Sequence, residues 1–561
     1  MRKLRIDQNL LAVVLMAWVF IVPLIYCRYL NQNFTSTKAI AVHFVGVLAA
    51  IALLIRGQVS LPNRQLMGLA GLAILLKSIT AFLFVNWVTV SNLLEGLSFV
   101  VLCLFFTTAL KNKSFNSRTL FWFYLPSSLM ITIYALVQFV QSRILDRNPE
   151  PFFFSGTFGN INMMAEYLVL LLPLGFYLAR TQKDWKGQVL AVANAGWIFM
   201  LLVGQSRSAW IGLFFCFLFS AISKLNRREW LCYLIPLGLF FATKMIPYDG
   251  PDYAQAKSGS FSKRSELYKG ASKMLLDNPL GIGGGRFPFS YIPYQMTTQE
   301  PPTEKERFDT PHSELLKWGI ENGWAFLFVS CLWWLCLGFF VWKIKAPPEL
   351  LTFYRTSYVV IGPQLLFQFP FENPGSVLAL SFVLGFLFSA SSNLSLNSKW
   401  MTRVVAGLAA ALLCAKGVSF TTAKYLESQH PNNLEALETG CQIDRTNWYI
   451  CFLYSMKVAS STFPRDAFPI LDIQIRQRPF DYQSLRALTY TYVQTGNTRG
   501  ACESALVYNT FFQGRSLFTD FIKQYCQSTP NPVSFQNSQQ FTDDYKNWLR
   551  RHIKIDEDDH F

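Results

Sequence analysis

The chain has 561 residues, of which 52% are hydrophobic, 16% aromatic and only 15% charged. Soluble globular chains carry about 25% charged residues, so this composition excludes a disordered chain or a coiled coil and argues against a wholly soluble enzyme. The net charge of +16 suggests a polyanion partner, but residues 425–561 hold 13 basic and 15 acidic residues, which leaves +18 on residues 1–424. The positive charge therefore belongs to the hydrophobic part of the chain.

Thirteen apolar segments predict membrane-spanning helices, because a bilayer requires about 20 mostly apolar residues. The basic N-terminus resembles a signal peptide, but no small-residue cleavage site follows, so we interpret the first apolar segment as a span. The predicted spans are residues 9–27, 39–55, 66–85, 89–110, 119–140, 164–179, 188–204, 208–223, 231–247, 322–342, 356–371, 375–391 and 404–421.

The basic residues of the short loops predict the orientation of these spans, because cytoplasmic loops are rich in Lys and Arg. One side carries 19 such residues and the other carries 5. This asymmetry accounts for most of the net charge without a polyanion, and we find no reason to expect a nucleic-acid partner. It predicts a cytoplasmic N-terminus, and thirteen spans then place the polar loop 248–321 and the tail 425–561 outside the cytoplasm.

Arg207 lies between two predicted spans, on the side where positive charge is otherwise scarce. Two interpretations are open: the side chain extends to lipid headgroups, or its guanidinium binds a phosphate. Ser206 and Ser208 flank it with hydroxyl groups that would serve the second role.

The loop 248–321 contains three further candidate residues. Arg264 precedes an amphipathic helical pattern that ends at Asn278-Pro279, since proline cannot continue a helix. Arg286 follows a glycine run, residues 281–285, that lacks the Gly-Lys-Ser/Thr of a phosphate-binding P-loop. The glycines are typical of a tight turn, and a nest of backbone amides for an anion is the alternative.

His312 is the only histidine of that loop. Thr310 and Pro311 predict a helix start, which would place His312 in the first helical turn, where the helix dipole favours a neutral imidazole that can accept a proton. A structural role is the alternative for a lone histidine. The loop has no Asp-x-Asp pair and no histidine cluster, so we predict no metal site.

The tail 425–561 is predicted to be a separate helical domain. The segment 488–497, followed by Ala501 and Ala505, resembles one tetratricopeptide hairpin, and an ordinary helical hairpin fits equally well. Four cysteines allow two disulfides in three connectivities: Cys441, Cys451, Cys502 and Cys526. The sequence thus predicts an all-α polytopic membrane protein, with a transmembrane catalytic domain at 1–424 and an extracytoplasmic domain at 425–561.

Four motifs, in this order, resemble those of the O-antigen ligase superfamily, which comprises O-antigen ligases, O-antigen polymerases and bacterial protein O-oligosaccharyltransferases. Ser313 stands where the family usually has asparagine. The motifs are Gly156-Thr157-Phe158-Gly159-Asn160-Ile161-Asn162 with Ala165, Ser206-Arg207-Ser208, Arg264 with Asn278-Pro279-Leu280-Gly281-Ile282-Gly283, and His312-Ser313-Glu314-Leu315-Leu316 with Gly323.

The resemblance implies a multi-span glycosyltransferase fold of the GT-C type in the bacterial inner membrane. It implies transfer of a glycan from an undecaprenyl-diphosphate carrier, without metal or other cofactor, to lipid A core or to a protein Ser or Thr. Arg207 and Arg264 would hold the diphosphate, and His312 would act as general base.

Further residues have less defined roles in this interpretation. Arg286 and Ser206 would contact the diphosphate or the glycan, and Asn160 and Asn162 would either line the site or cap the span at 164. The long tail favours a protein acceptor, since helical repeats bind proteins. The alternatives are a polysaccharide polymerase of the same superfamily and, in a different class, a transporter or flippase of the lipid-linked glycan.

Overall fold

A computed structural model of the chain describes residues 8–27, 30, 35–84, 86–114, 116–141, 155–182, 184–223, 227–245, 253–295, 308–391, 394–396, 398–478, 480–511, 518–533 and 538–552. The described part is almost entirely helical, as the sequence predicts. Its one small sheet, in which the strands β1 (Val59–Leu61) and β2 (Leu394–Leu396) pair antiparallel with Val59 opposite Leu396, joins two loops of the hydrophobic part.

The hydrophobic part contains sixteen described helices. They are α1 (Gln8–Ile21), α2 (Thr35–Arg56), α3 (Arg64–Leu83), α4 (Trp87–Lys111), α5 (Ser117–Val140), α6 (Ile161–Thr181), α7 (Trp185–Gly204), α8 (Arg207–Ile222), α9 (Arg227–Lys244), α10 (Tyr253–Asp277), α11 (Phe287–Ser290), α12 (Ile292–Gln295), α13 (Glu314–Lys343), α14 (Pro348–Phe367), α15 (Pro374–Ser391) and α16 (Lys399–Gln429).

Nine of the described helices are long and apolar enough to cross a membrane: α2 to α7, α13, α15 and α16. The chain is therefore a multi-pass membrane protein. The other four predicted spans coincide with α1, α8, α9 and α14. Of these, α1 and α8 are shorter, α9 carries more charge, and α14 is less apolar. The count of thirteen spans remains a prediction.

Asparagine, aspartate and serine side chains begin several of these helices by accepting a hydrogen bond from a backbone amide of the first turn, which would otherwise be unpaired. Asn86 and Thr89 form a reciprocal capping box at α4, and Asp184 caps α7. Close packing between helices depends on small residues. A Cβ at Gly385 of α15, for example, would come within 2.6 Å of the side chain of Phe106 in α4.

The tail consists of α17 (Leu434–Ile443), α18 (Trp448–Ala459), α19 (Ala467–Gln477), α20 (Tyr482–Gln494), α21 (Thr498–Phe511), α22 (Thr519–Tyr525) and α23 (Ser538–His552). The predicted hairpin is present as α20 and α21, with Gly496 at φ +71° in the turn between them. Its assignment to the tetratricopeptide class remains a prediction. Disulfides join Cys441 to Cys451 and Cys502 to Cys526.

The tail packs on the polar loop of the membrane domain. Ile292 of α12 is 1% exposed and belongs to the same hydrophobic cluster as Leu471 and Leu488 of the tail. The guanidinium of Arg478 lies 4.9 Å from the ring centre of Phe289. The tail therefore covers the end of the helix bundle at which the loop and its candidate residues lie.

Candidate active site

Arg207 is the first residue of α8, in a tight turn that follows α7. Gln205 ends α7 in the left-handed region (φ 50°, ψ 32°), and Ser206 is the N-cap residue of α8. The half-buried Arg207 side chain is thus attached to the junction between two helices. The positive end of the α8 dipole adds to its charge, and this combination favours an anion.

Two glutamines of the α14 end brace this turn. Gln364 Nε2 donates to the Ser208 carbonyl at 3.1 Å, and Gln368 Nε2 donates to Ser206 Oγ at 3.2 Å. The Gln368 carbonyl accepts the amide of Glu314 at 3.1 Å, so one residue links the Arg207 turn to the segment that carries His312. The predicted substrate-binding residue Ser206 is 3% exposed and contributes mainly to this brace.

Arg264 lies on α10, one turn before Tyr268. Tyr268 Oη donates to the His312 carbonyl at 3.2 Å, so α10 also contacts the histidine segment. Burial and the positive charge of Arg207 lower the pKa of Arg264, and the Tyr268 phenol opposes them. A guanidinium remains charged at neutral pH in any protein environment. The structure thus brings two half-buried cations close enough to interact electrostatically.

His312 lies outside the helix, which corrects the predicted position in a first helical turn. The helix α13 begins at Glu314, because Ser313 supplies a better cap: its side chain accepts the Leu316 amide at 3.3 Å. His312 has φ +51°, a left-handed conformation that is uncommon for a residue with a side chain. Its amide donates to Thr310 Oγ1 at 3.0 Å, which holds this conformation.

The environment of the imidazole keeps it neutral. Burial and the positive charge of Arg264 lower the pKa of His312 to about 4. Nδ1 is buried and has no hydrogen-bond partner among the described residues, and the ring centre lies 5.4 Å from that of Phe369. The sequence predicted a neutral imidazole from the helix dipole, but the physical cause in the structure is burial beside a cation.

The glycine run after α10 forms a tight turn against a break in α13. The amides of Ile282 and Gly283 donate to the carbonyls of Ile320 and Glu321, at 3.1 and 2.9 Å. Those two amides are therefore committed to the protein, and the alternative of an anion nest is not supported for them. Gly323 interrupts α13 with φ +84°, ψ 170°.

Arg286 is fully enclosed at this turn, with 1% of its surface exposed. Its Nη1 donates to the Ile282 carbonyl at 3.1 Å, and burial lowers its pKa to about 10. Its charge also acts on Lys546 of the tail helix α23. The predicted contact of Arg286 with diphosphate or glycan remains a proposal, and it requires the turn to open.

Asn160 caps α6, since its side chain accepts the Asn162 amide at 2.8 Å. Of the two roles predicted for these asparagines, the structure therefore supports capping for Asn160, while Asn162 is half-buried. The segment is close to the Arg207 turn, because Ile161 contacts the position that a Cβ on Gly204 would occupy, at 3.2 Å. Asn373 Nδ2 donates to the Met163 carbonyl at 2.9 Å.

The four sequence motifs thus converge at one end of the bundle, together with residues that sequence reasoning missed. Tyr268 and Gln368 connect the motifs, and Asn373 joins the first motif to the start of α15, but none of the three belongs to a motif. The sequence did contain a pattern that could have identified Gln368. With Gln364 it forms an i, i+4 pair of polar residues at the end of an otherwise apolar segment. The predicted span 356–371 ran past this point, whereas α14 ends at Phe367.

Comparison with known protein families agrees with these motifs. Residues 191–331, which are 141 of the 561 residues, match the model of the O-antigen ligase family. No curated protein matches the chain. The matched segment includes Arg207, Arg264 and His312 and indicates a glycosyltransferase-like enzyme. The resemblance to the O-antigen ligase superfamily is thereby confirmed over residues 191–331.

Proposed function

We propose that this protein transfers a glycan from an undecaprenyl-diphosphate carrier to an acceptor hydroxyl at the periplasmic face of the bacterial inner membrane. It would act as an O-antigen ligase or as a protein O-oligosaccharyltransferase, with inversion at the anomeric carbon and without a metal. One observation carries the proposal. The guanidiniums of Arg207 and Arg264 interact electrostatically, and Arg264 interacts in the same way with the neutral imidazole of His312.

The proposed chemistry needs these groups in this combination. The acceptor oxygen forms a bond to the anomeric carbon while the bond from that carbon to the diphosphate oxygen breaks, and the diphosphate leaves with the electron pair. Arg207 and Arg264 bind the negative charge that develops there, through charge-assisted hydrogen bonds. His312 takes the proton of the acceptor hydroxyl. Diphosphate is a good leaving group, so no acid need protonate it.

Binding of the donor would also prepare the base. The positive charge of Arg264 contributes to the low pKa of free His312. A bound diphosphate would offset that charge and raise the pKa of the imidazole, since an adjacent anion favours the protonated form. His312 would therefore become a stronger base only when the donor is in place.

Two features support the periplasmic orientation. The loop and the tail lie at the same end of the bundle. The tail carries the disulfides Cys441–Cys451 and Cys502–Cys526, which form and persist in oxidising compartments such as the periplasm. The positive-inside asymmetry of the sequence independently predicts the same orientation.

Deletion of the gene tests the reaction and identifies the acceptor. We expect the lipid-linked glycan to accumulate, because the block lies at transfer, and one product to disappear. Loss of the long lipopolysaccharide bands would identify lipid A core as the acceptor, and loss of glycan mass from proteins would identify Ser or Thr. Unchanged levels of lipid-linked glycan and of both products would refute the proposal.

A further inference from the structure

A polar cavity of about 380 Å³ lies where the membrane domain meets the tail. Small-molecule sites commonly fall between about 300 and 1,000 Å³. The cavity is bounded by the starts of α2 and α4, the glycine turn, the segment 309–317, the C-terminal half of α16 and the tail turn at 444–447. It is thus shared by elements far apart in the sequence.

The charges that line this cavity balance. Four carboxyl groups face four cations, so the cavity has no excess charge to attract an anion such as diphosphate. Lys317 forms an ion pair with Glu372. The lining charges are those of Glu95, Asp309, Glu372, Asp444, Lys317, Lys416, Lys424 and Arg478.

One buried carboxylate oxygen of the cavity is unsatisfied. Asp444 is 5% exposed, and its Oδ1 accepts the Thr446 amide at 3.1 Å. Its Oδ2 is buried and has no hydrogen-bond partner among the described residues. A buried carboxylate oxygen without a donor is costly, so Asp444 would gain from a hydrogen-bond donor brought to it by a ligand.

Aromatic rings complete the lining. Phe289, from the glycine-turn region, and Phe420, from α16, both face the cavity. A sugar ring has an apolar C–H face that packs on an aromatic ring, and hydroxyls that both donate to carboxylates and accept from ammonium groups. Carboxylates, lysines and phenylalanines around one neutral cavity therefore match a hydroxyl-rich ring better than a charged or purely apolar ligand.

One segment of the chain links the cavity to the candidate active site. Asp309 and Lys317 line the cavity, and His312 lies between them in the sequence. We propose that the cavity is a subsite for an uncharged, hydroxyl-rich sugar unit of the substrates, separate from the diphosphate site at Arg207 and Arg264. This inference rests on the proposed function. The sugar belongs either to the glycan of the donor or to a glycan acceptor.

Binding to the purified full-length protein in nanodiscs tests the subsite independently of transfer. The probes are the oligosaccharide released by mild acid from the cells' own lipid-linked donor, the lipid-free core oligosaccharide of the same cells, and a synthetic peptide rich in Ser and Thr. We expect one oligosaccharide to bind in saturation-transfer NMR. Binding of the first assigns the subsite to the donor, and binding of the second assigns it to the acceptor.

Two variants and one control locate the site. Asp444→Asn removes the charged acceptor, and Ser91→Trp fills the cavity from α4, so each should weaken binding by about 10-fold or more. Glu435→Gln alters an exposed tail carboxylate outside the cavity and should bind like the wild type. Thermal unfolding of each variant confirms that it is folded.

The subsite proposal fails if neither oligosaccharide binds, if only the peptide binds, or if folded Asp444→Asn and Ser91→Trp proteins bind as the wild type does. A different result would refute the proposed function. Gene deletion would then leave lipid-linked glycan levels unchanged, whether or not an oligosaccharide binds to the purified protein.

Discussion

At the scale of single residues, the site depends on two cations that are partly buried and so partly shielded from water. Arg207 and Arg264 interact electrostatically, and burial lowers the pKa of Arg264. Two like charges brought this close disfavour each other in the free protein. A ligand with two negative charges would relieve that repulsion. The proximity of the two arginines is therefore itself an argument for a diphosphate.

The form of the Arg264 side chain should matter as well as its charge. Arg264→Lys keeps the positive charge but loses the planar fork that binds phosphate oxygens in pairs. We expect kcat of the transfer to fall by about 10²-fold in Arg264→Lys and by about 10³-fold in Arg264→Ala. Lys269→Ala, which removes an exposed cation of the same helix, is the matched control and should retain full activity. Full activity of the lysine variant would argue for nonspecific charge attraction instead.

The pH dependence of the transfer rate should reflect the environment of His312. The pKa of about 4 in the free protein predicts that kcat/KM stays flat from pH 5 to 7, where a histidine with the ordinary pKa of 6.5 would titrate. The donor diphosphate offsets Arg264, so the acidic limb of kcat should lie at higher pH than that of kcat/KM. A limb of kcat/KM centred near pH 6.5 would contradict the structure.

The same pKa has a consequence for stability. The folded value lies below the unfolded value of 6.5, so the neutral imidazole favours the fold. This contribution is fully present above pH 6.5 and is lost as the pH falls from 6.5 towards 4. His312→Asn should therefore make the thermal stability less dependent on pH in that window, as measured by melting temperatures at pH 4.5 and 7.5. An unchanged pH dependence would mean that His312 titrates normally.

At the scale of elements, the break in α13 fixes the position of the polar loop against this membrane-spanning helix. Gly323 has φ +84°, and a Cβ there would lie 2.8 Å from the Pro279 carbonyl oxygen. The Trp324 amide donates to that same oxygen at 3.0 Å. The turn after α10 is thus joined to α13 at the break. The segment that carries His312 directly precedes α13.

Gly323→Ala should therefore destabilise the protein, by about 1–3 kcal/mol, because alanine is strained at positive φ and meets backbone atoms. We expect a lower melting temperature and reduced transfer activity. Gly362→Ala in α14 is the matched control, since a Cβ at that helical position meets nothing within 4 Å. It should melt at or slightly above the wild-type temperature. Equal melting of the two variants would show that the break is not required.

The elements also show what a sequence can and cannot predict here. Each of the thirteen apolar segments overlaps a described helix, because apolar length is encoded locally. The break at Gly323 was not predicted, since a glycine inside an apolar run is compatible with an unbroken helix. The brace from Gln368 to Ser206 joins residues 162 positions apart, and no local pattern specifies such a pair.

Among the site residues, the resemblance to a family identified Arg207, Arg264 and His312, and the structure brings them together. Arg286 shows the limit of that reasoning. The sequence interpretation placed Arg286 in contact with the diphosphate or the glycan, yet the turn folds over it and leaves it 1% exposed. Burial depends on how the tail and the loop pack, and a motif contains no information on that packing.

At the scale of the whole molecule, the tail and the site share one face. The disulfides of the tail predict that this face is periplasmic. In intact cells, a membrane-impermeant maleimide should label Cys441 and Cys451 only after treatment with a reductant that reaches the periplasm. A variant that keeps only those two cysteines isolates the signal. Labelling that needs membrane permeabilisation, with or without reductant, would place the tail in the cytoplasm.

The most direct test of the central claim is transfer by the purified protein in the presence of EDTA. The assay supplies the lipid-linked glycan and the acceptor identified by gene deletion, and it measures the glycosylated product together with released undecaprenyl diphosphate. The account predicts equal amounts of both from the wild type, and loss of most activity in folded Arg207→Ala, Arg264→Ala and His312→Ala proteins. Activity that EDTA abolishes, or full activity in those three variants, would contradict it.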